Sequence, residues 1–420
     1  MRGFQWRDAV PLAPESASAV IRMTCIPQAG IDRVTLACQK REFSLPEGTH
    51  YLNCAYMAPL SQRVADAGVA GVRKKCDPNV ISEDDFFSDG QAIRERFAGV
   101  VNASAADRVA LFPSVSYGIA VAARNTPVAP GQNIVMAGEQ FPSNVYTWWR
   151  HRDAGGELRV VDRPAVDHVA APWNEALLDA IDADTAIVAL GHVHWTDGTL
   201  FDLESVGKRA REVGAAFVID GTQSVGALPF DVDVIRPDLL VVGAYKWLMG
   251  PYGMAVGYVG SRYDDGIPLE EPWIVRAGSE DFRTLVDYEE NYRPGATRYD
   301  AGGMANFATV PMLKASLGQV LDWGVDEIQS YCTSLTSSLA ASATERGWSV
   351  EDQSGRAGHI LGIRMPAETD FDALKQALAA SGVCVSLRGK SVRISPHVYN
   401  DAGDIAALLE VLDLVLVGAG

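Results

Sequence analysis

The chain has 420 residues, of which 48% are hydrophobic and 21% charged, as is typical of globular proteins rather than disordered chains or disulfide scaffolds. Its formal net charge of −17 disfavours nucleic acid and anionic membrane surfaces as partners, but it leaves room for a local site that binds a phosphate-bearing ligand. The six cysteines are dispersed, so we expect reduced, mostly buried thiols. No apolar run reaches about 18 residues and the N-terminus lacks the apolar core of a secretory signal, so we expect a cytoplasmic protein.

The chain order of apolar runs predicts an N-terminal extension and two domains. Residues 1–45 are irregular, and within them only IDRVTLAC resembles regular structure. Residues 46–305 alternate short apolar runs with helix-length segments such as SVGKRAREVG. This alternation predicts a large α/β domain with a mostly parallel, helix-covered sheet. The runs are RVALFP, NIVMAG, LRVVD, TAIVALGHV, AAFVID, LLVVGA and GMAVGYVG.

Residues 306–420 have a different pattern, which predicts a smaller α+β domain. Two long helical segments, VPMLKASLGQVLDWG and VDEIQSYCTSLTSSLAASATERG, come first. Four strand candidates then alternate with the helical segments FDALKQALAA and DIAALLEVLDLVL. The strand candidates are WSVED, HILGIRM, VCVSL and SVRIS.

Polar side chains follow several of the predicted strands of the large domain. Ligands of open α/β sheets bind at the carboxyl ends of the strands. Ser114 and Ser116 open a helix after RVALFP, where free backbone N–H groups would attract a phosphate. Asp220 ends AAFVID and Lys246 follows LLVVGA. We therefore expect the acid and the lysine to face one cleft from neighbouring strands.

This combination predicts pyridoxal 5′-phosphate as cofactor. The chemistry needs a lysine that forms a Schiff base, a carboxylate that keeps the pyridine nitrogen protonated, and a phosphate site. Phe141, in the EQFPSN segment, can supply the aromatic ring that stacks on the cofactor. Each residue alone has a simpler explanation, as a helix cap, a turn former or a solvated lysine. Their occurrence together, in strand order, favours the cofactor site.

The segment VIDGTQSVGALPFDVDVIRPDLLVVGAYKWLMGPYGMAVGYV resembles the cofactor-binding core of the class V aminotransferase-fold enzymes. This group contains cysteine desulfurases, isopenicillin N epimerase-like proteins and kynureninase, and the resemblance covers roughly residues 50–415. It implies the pyridoxal-phosphate (PLP)-dependent transferase fold (aspartate aminotransferase fold type I), with a mostly parallel seven-stranded sheet. It also implies a homodimer with shared active sites and an α-amino acid as substrate.

The resemblance also implies roles for individual residues. Lys246 would form the Schiff base, Asp220 would pair with the pyridine nitrogen, and Gln223 would contact the phenolic oxygen. The phosphate would be held by Ser114, Val115, Ser116 and Tyr245, and the substrate carboxylate by Arg393, with Arg388 as second candidate. A bidentate guanidinium suits the carboxylate.

Several positions depart from the desulfurase pattern. Desulfurases carry a histidine stacked on the cofactor ring and another before the lysine, whereas this chain has EQFPSN and AYK, closer to kynureninase and epimerase-like members. Cys384 lies inside the apolar run VCVSL instead of a mobile loop, which predicts a core thiol. His194, followed by Trp195, replaces an asparagine that faces the cofactor oxygen. Asn306, in AGGMAN, replaces a threonine that contacts the phosphate of the dimer partner.

Our leading hypothesis is therefore aminotransferase-type chemistry, with kynureninase-like cleavage, C–S lyase β-elimination or epimerisation as alternatives. A non-catalytic binding protein of the same fold is disfavoured by the presence of both Lys246 and Asp220. A zinc hydrolase is a further alternative, because His192 and His194 would share one face of a strand near Asp220. No third histidine or H-E-x-x-H motif accompanies them, so we predict no metal site.

Overall fold

The computed structural model describes residues 36–417, so most of the predicted extension, including the first part of IDRVTLAC, lies outside the described residues. The strands in the described part are β1 His50–Tyr51, β2 Val109–Phe112, β3 Asn133–Ala137, β4 Glu157–Val161, β5 Thr185–Gly191, β6 Ala216–Asp220, β7 Leu239–Gly243, β8 Ala255–Val259, β9 Ser349–Val350, β10 Leu361–Arg364, β11 Val383–Cys384, β12 Ser386–Arg388 and β13 Ser391–Ile394. The α-helices there are α1 Gln62–Cys76, α2 Ser88–Val100, α3 Val115–Asn125, α4 Trp149–Asp153, α5 Ala170–Ala180, α6 Leu203–Val213, α7 Val232–Ile235, α8 Thr309–Trp323, α9 Val325–Glu345, α10 Phe371–Ala380 and α11 Ala402–Val417.

A seven-stranded sheet forms the centre of the molecule, in the order β2-β8-β7-β6-β5-β3-β4. Neighbouring strands from β7 to β4 are parallel, and β8 is antiparallel to β2 and β7. Alternate residues of the strands enter two separate apolar clusters, with Val218 in one and Ile219 in the other. Both faces are therefore buried, which explains why the strands are continuous apolar runs. The predicted fold class is confirmed.

Helix α6 shows how the sequence sets a crossover between two of these strands. The Asp202 side chain caps its first turn by accepting a hydrogen bond of 3.0 Å from the Ser205 N–H. Gly214 ends the helix with a left-handed φ of 79°. Its apolar face, including Leu203 and Val206, is buried against the sheet, as the period of SVGKRAREVG predicted.

The C-terminal part contains an antiparallel sheet in the order β12-β13-β10-β9, with a separate apolar cluster that includes residues of α9, α10 and α11. The run VCVSL, predicted as one strand, is split. Its first half, β11, pairs in parallel with β1, whereas its second half, β12, pairs with β13. An isolated bridge also joins Asn53 to Ser395. The start of the predicted large domain thus pairs with strands of the predicted small domain. The boundary between the two domains at residue 305 stays a prediction.

The cysteines are less buried than predicted. Cys54 and Cys332 are buried, but Cys38 and Cys76 are exposed and Cys384 is only partly buried. Cys76 is exposed because it ends helix α1 beside three basic residues. The prediction of mostly buried thiols was therefore wrong for the two exposed residues, and the core assignment of Cys384 was too strong. Within residues 36–417, no helix has the length and apolar character needed to cross a membrane.

Candidate active site

A pocket opens beyond the carboxyl ends of β3, β5, β6 and β7. We call it the lysine pocket. Its walls are formed by Gln140, Phe141, Asn144, Gly191, Val193, His194, Trp195, Phe201, Asp220, Thr222, Gln223 and Lys246.

Lys246 lies in the turn that follows β7. Its side chain is buried, and its Nζ lies 5.7 Å from the Phe141 ring centroid and 5.5 Å from that of Tyr245. Burial lowers the pKa of Lys246 to about 8; Asp220 opposes this shift and Arg393 adds to it. The turn is strained, because Met249 has a φ of 56°. The structure therefore holds a buried amine that is partly unprotonated, and hence nucleophilic, near neutral pH.

Asp220 ends β6, the strand beside β7, and it lines the same pocket as Lys246. Burial raises the pKa of the Asp220 carboxyl, while hydrogen bonds from Thr222 and the charge of Lys246 oppose the shift. The Thr222 N–H donates to Asp220 Oδ1 over 3.0 Å, which fixes the orientation of the carboxyl group. The expected meeting of acid and lysine at one cleft is thus observed, and their catalytic roles stay predictions.

Phe141 and Gln223 also line the lysine pocket. The Phe141 ring is 42% exposed and packs edge-on against Trp195 with centroids 5.6 Å apart. Gln223 Nε2 donates to the Ala55 carbonyl over 3.1 Å, and its Oε1 accepts from Trp247 Nε1 over 3.0 Å. The Phe141 ring is therefore free to contact a planar ligand, whereas the Gln223 amide is held in one orientation.

The predicted phosphate cradle is the start of helix α3. Ser114 caps the helix by accepting from the Tyr117 N–H over 3.2 Å, and its Oγ lies 3.0 Å from Ser116 Oγ. Val115 begins the helix. A Cβ at Gly118 would come within 2.7 Å of the Val241 side chain, so the helix packs closely on β7, the strand that leads to Lys246.

The other two predicted phosphate residues, like Ser114, Val115 and Ser116, lie outside the walls of the lysine pocket. Tyr245 packs edge-on against Tyr252, with ring centroids 4.8 Å apart. Asn306 is exposed, and its Oδ1 accepts 3.0 Å hydrogen bonds from the N–H groups of Ala308 and Thr309 at the start of α8. The resemblance assigns the Asn306 contact to the dimer partner, and the structure contains one chain. The role of Asn306 therefore stays a prediction.

Arg393, on β13, is joined to the pocket wall through Trp195. Its Nη1 donates to the Trp195 carbonyl over 2.6 Å, and its Nη2 donates to Ser386 Oγ over 3.2 Å. Its side chain is buried, and its Nε has no hydrogen-bond partner among residues 36–417. Arg388 lies with its guanidinium 5.5 Å from the Trp195 ring centroid. Burial, together with the charge of Arg388, lowers the pKa of Arg393 to about 9.

The two histidines of the zinc alternative do not share a site. His194 lines the lysine pocket, and its Nδ1 lies 2.7 Å from Thr196 Oγ1. His192 lines a different cavity, where its ring packs edge-on against Phe230. The expectation of a shared face was wrong because β5 ends at Gly191, so strand alternation no longer applies. In the described part of the chain, no three His, Cys, Asp or Glu side chains are grouped to hold a metal ion.

Sequence reasoning missed two amides in the pocket wall. Gln140 follows β3, and its side chain binds the end of the neighbouring strand β5. It donates to the Ala189 carbonyl over 2.9 Å and accepts from the Gly191 N–H over 3.0 Å. It also accepts from Asn144 Nδ2 over 2.8 Å. The signal was available, because both residues belong to EQFPSN, directly after the strand run NIVMAG.

The residues of the lysine pocket fit pyridoxal 5′-phosphate. Asn144 Oδ1 and His194 Nε2 are buried polar atoms in its wall without a partner among residues 36–417, as expected where a polar ligand binds. Lys246 supplies the amine, Asp220 the carboxyl group and Phe141 the aromatic surface that this cofactor requires.

The chain is similar to several known proteins. Residues 83–408 match the family Aminotransferase class-V. A probable cysteine desulfurase of Methanothermobacter thermautotrophicus is 26% identical, covering 77% of this chain and 82% of that protein. A kynureninase of Burkholderia mallei is 25% identical, covering 83% of this chain and 84% of that protein. The solved apo structure of a cysteine desulfurase from Thermococcus onnurineus superposes with a TM-score of 0.77 at 19% identity, covering 90% and 97% of the two chains.

Because the match spans most of the sequence, the chain belongs to the class V aminotransferase family. It is a pyridoxal-phosphate-dependent enzyme.

Proposed function

We propose that this enzyme acts on an α-amino acid through aminotransferase-type chemistry. The observation that carries the proposal is the lysine pocket itself, where a buried amine with a pKa of about 8 lies with a buried carboxyl group, and where the carbonyl of the wall residue Trp195 accepts from Arg393. The buried Arg393 suits an amino acid's α-carboxylate, because no Asp or Glu carboxylate in the part of the chain described pairs with it.

The roles of the residues follow from their chemistry. Pyridoxal phosphate, when bound, supplies an electron-withdrawing ring that takes up the negative charge left at Cα. Asp220 holds a proton on the pyridine nitrogen and so favours that flow of charge. Arg393 orients the substrate through its carboxylate, and the free amine of Lys246 would then take the Cα proton and deliver it to the carbon two bonds away, on the other side of the amino nitrogen. This proton movement is the step that transamination requires.

The cysteines argue against a desulfurase, although several similar proteins carry that name. Persulfide formation needs a mobile thiol of low pKa. Burial raises the pKa of the Cys54 thiol to about 12, and the thiol donates to the Lys246 carbonyl oxygen over 3.9 Å. Cys384 is part of strand β11 and is fixed in register with Tyr51. Neither residue has the properties of a sulfur acceptor.

Product analysis with a panel of amino acids and a keto-acid acceptor tests the reaction. We expect a keto acid and a new amino acid in equal amounts, without release of sulfide, alanine or ammonia. The Cys54→Ser/Cys384→Ser variant should keep turnover within about threefold of wild type, because no thiol takes part. Loss of activity in that variant, with cofactor still bound and sulfide among the wild-type products, would instead establish desulfurase chemistry.

Arg393→Gln is expected to weaken substrate binding. Loss of a charge-assisted bidentate contact costs about 1.5–3 kcal/mol, which is about ten- to a hundredfold in dissociation constant. Titration of the visible absorbance with alanine measures this change. Arg364→Gln is a matched control, because Arg364 lies on the neighbouring strand β10 and outside the lysine pocket. Unchanged alanine affinity in Arg393→Gln would remove the proposed role.

We also propose that the enzyme is a homodimer whose active sites are shared. Several aromatic side chains near the lysine pocket are exposed in the single chain, among them Tyr56 and Tyr252, which lies against Tyr245. A second copy of the chain covering this surface would bury these aromatic side chains, and the burial of exposed apolar surface is favourable. Sedimentation equilibrium should give twice the 45.1 kDa chain mass, and a monomer at micromolar concentration would contradict the proposal.

A further inference from the structure

Two guanidinium groups lie beside the lysine pocket without an acidic partner. Arg393 is buried, Arg388 is half-buried, and the Nε atoms of both are buried without a hydrogen-bond partner in residues 36–417. Most arginines near the sheets do have carboxylate partners, for example Arg163 with Asp197. Within the same range, no carboxylate oxygen lies within 4.0 Å of Arg388 or Arg393. Such buried donors are costly unless a ligand supplies the missing acceptors.

The hairpin of β12 and β13 places the two arginines on one face but apart. Arg388 is opposite Ser391, and Arg393 is opposite Ser386. The two arginines are therefore diagonal neighbours offset by two positions, with backbones separated by about 7–8 Å. This spacing gives two separate anion positions on one side of the pocket.

Trp195 connects both arginines to the lysine pocket. It lines the pocket, its carbonyl accepts from Arg393, and its ring lies under the Arg388 guanidinium. The Trp195 Nε1–H donates to the Glu139 carbonyl over 2.7 Å, so the indole is fixed in position. Both arginines also act on Lys246, whose pKa each of them lowers. Two positive charges, both in contact with Trp195, therefore lie near the reacting amine of Lys246.

A single anion does not supply acceptors to both guanidinium groups, because the two groups lie at separate positions. The cofactor phosphate is expected at the start of helix α3, which follows β2 of the central sheet, whereas the two arginines are on the C-terminal sheet. The α-carboxylate of the substrate takes one guanidinium. The second guanidinium then faces the substrate side chain.

We propose that the substrate carries an acidic side chain, as do aspartate, glutamate and their sulfinate analogues, with Arg393 binding the α-carboxylate and Arg388 the side-chain acid. This proposal rests on the proposed function. A carboxylate and a sulfinate present the same paired oxygen acceptors to a guanidinium.

Pairs of acidic and neutral amino acids test the proposal in the holoenzyme. Titration of the visible absorbance compares aspartate with asparagine, glutamate with glutamine, and cysteine sulfinate with alanine. We expect one acid to bind at least tenfold more tightly than its neutral counterpart. Arg388→Gln should weaken that acid about ten- to a hundredfold and leave alanine within about threefold. Lys390→Gln, which removes an exposed positive charge from the same hairpin, should change neither value.

The outcomes separate this proposal from the proposed function. Equal affinity for acids and amides in the wild type would overturn it. So would an equal loss for aspartate and alanine in Arg388→Gln, which would assign Arg388 to the α-carboxylate. The proposed function itself fails if no amino acid yields a keto acid together with a new amino acid from the acceptor, whatever the result for Arg388.

Discussion

Replacing Lys246 with alanine should abolish the covalently held chromophore of the enzyme. The side chain is the buried amine of the lysine pocket, and the same atom is expected to move the Cα proton. Loss of a general base alone lowers turnover by about 10²–10⁴-fold. Absorbance spectra and the mass of the borohydride-treated protein measure the attachment, and product formation measures turnover.

Lys208→Ala serves as the control, because Lys208 is an exposed lysine on helix α6. It should bind cofactor at full stoichiometry and turn over at the wild-type rate. A Lys246→Ala protein that still gave a borohydride-reducible chromophore at full stoichiometry would move the attachment to another lysine.

Asp220→Ala should reduce turnover far more than substrate affinity. The carboxyl group lies in the pocket with its orientation fixed by Thr222, and we predict that it acts on the ring of the cofactor and not on the amino acid. Stabilisation of charge that develops in the transition state is worth about 10²–10³-fold in rate. We expect a loss of that size in turnover, with the dissociation constant of alanine within about threefold of wild type.

Asp220→Asn separates charge from shape. The amide can still accept from the Thr222 N–H but cannot hold a proton on the pyridine nitrogen as a carboxylate does. It should therefore resemble the alanine variant in turnover. Wild-type turnover in Asp220→Asn, combined with weak binding of alanine, would show that the residue serves only to bind.

The central sheet was predictable because its strands, apart from the edge strand β4, are largely buried on both faces. Runs such as AAFVID and LLVVGA are rich in β-branched and aliphatic residues, and all seven predicted runs form strands. The split of VCVSL was not predictable, since its two halves have the same composition and differ only in partner. Hydrophobic pattern indicates that a segment is extended but does not indicate which distant strand it joins.

The same distinction applies to the candidate site. Asp220 and Lys246 could be brought together from sequence, because they follow strands that are consecutive along the chain and adjacent in the sheet. The contact of Arg393 with Trp195 could not, as these residues are 198 positions apart and the acceptor is a backbone carbonyl. The prediction that His192 and His194 share one face was wrong because β5 ends at Gly191, one residue before His192. Strand alternation therefore does not extend to the two histidines.

The pairing of β1 with β11 also affects how the chain folds during synthesis. Residues of β1 leave the ribosome early, but their partner at Val383–Cys384 is made more than 330 positions later. Until then Leu52, which belongs to the apolar cluster of the C-terminal sheet, has no partner to cover it. Contacts of such long sequence separation form late and slow folding. The segment around His50–Tyr51 therefore cannot complete its pairing until the C-terminal sheet has been synthesised.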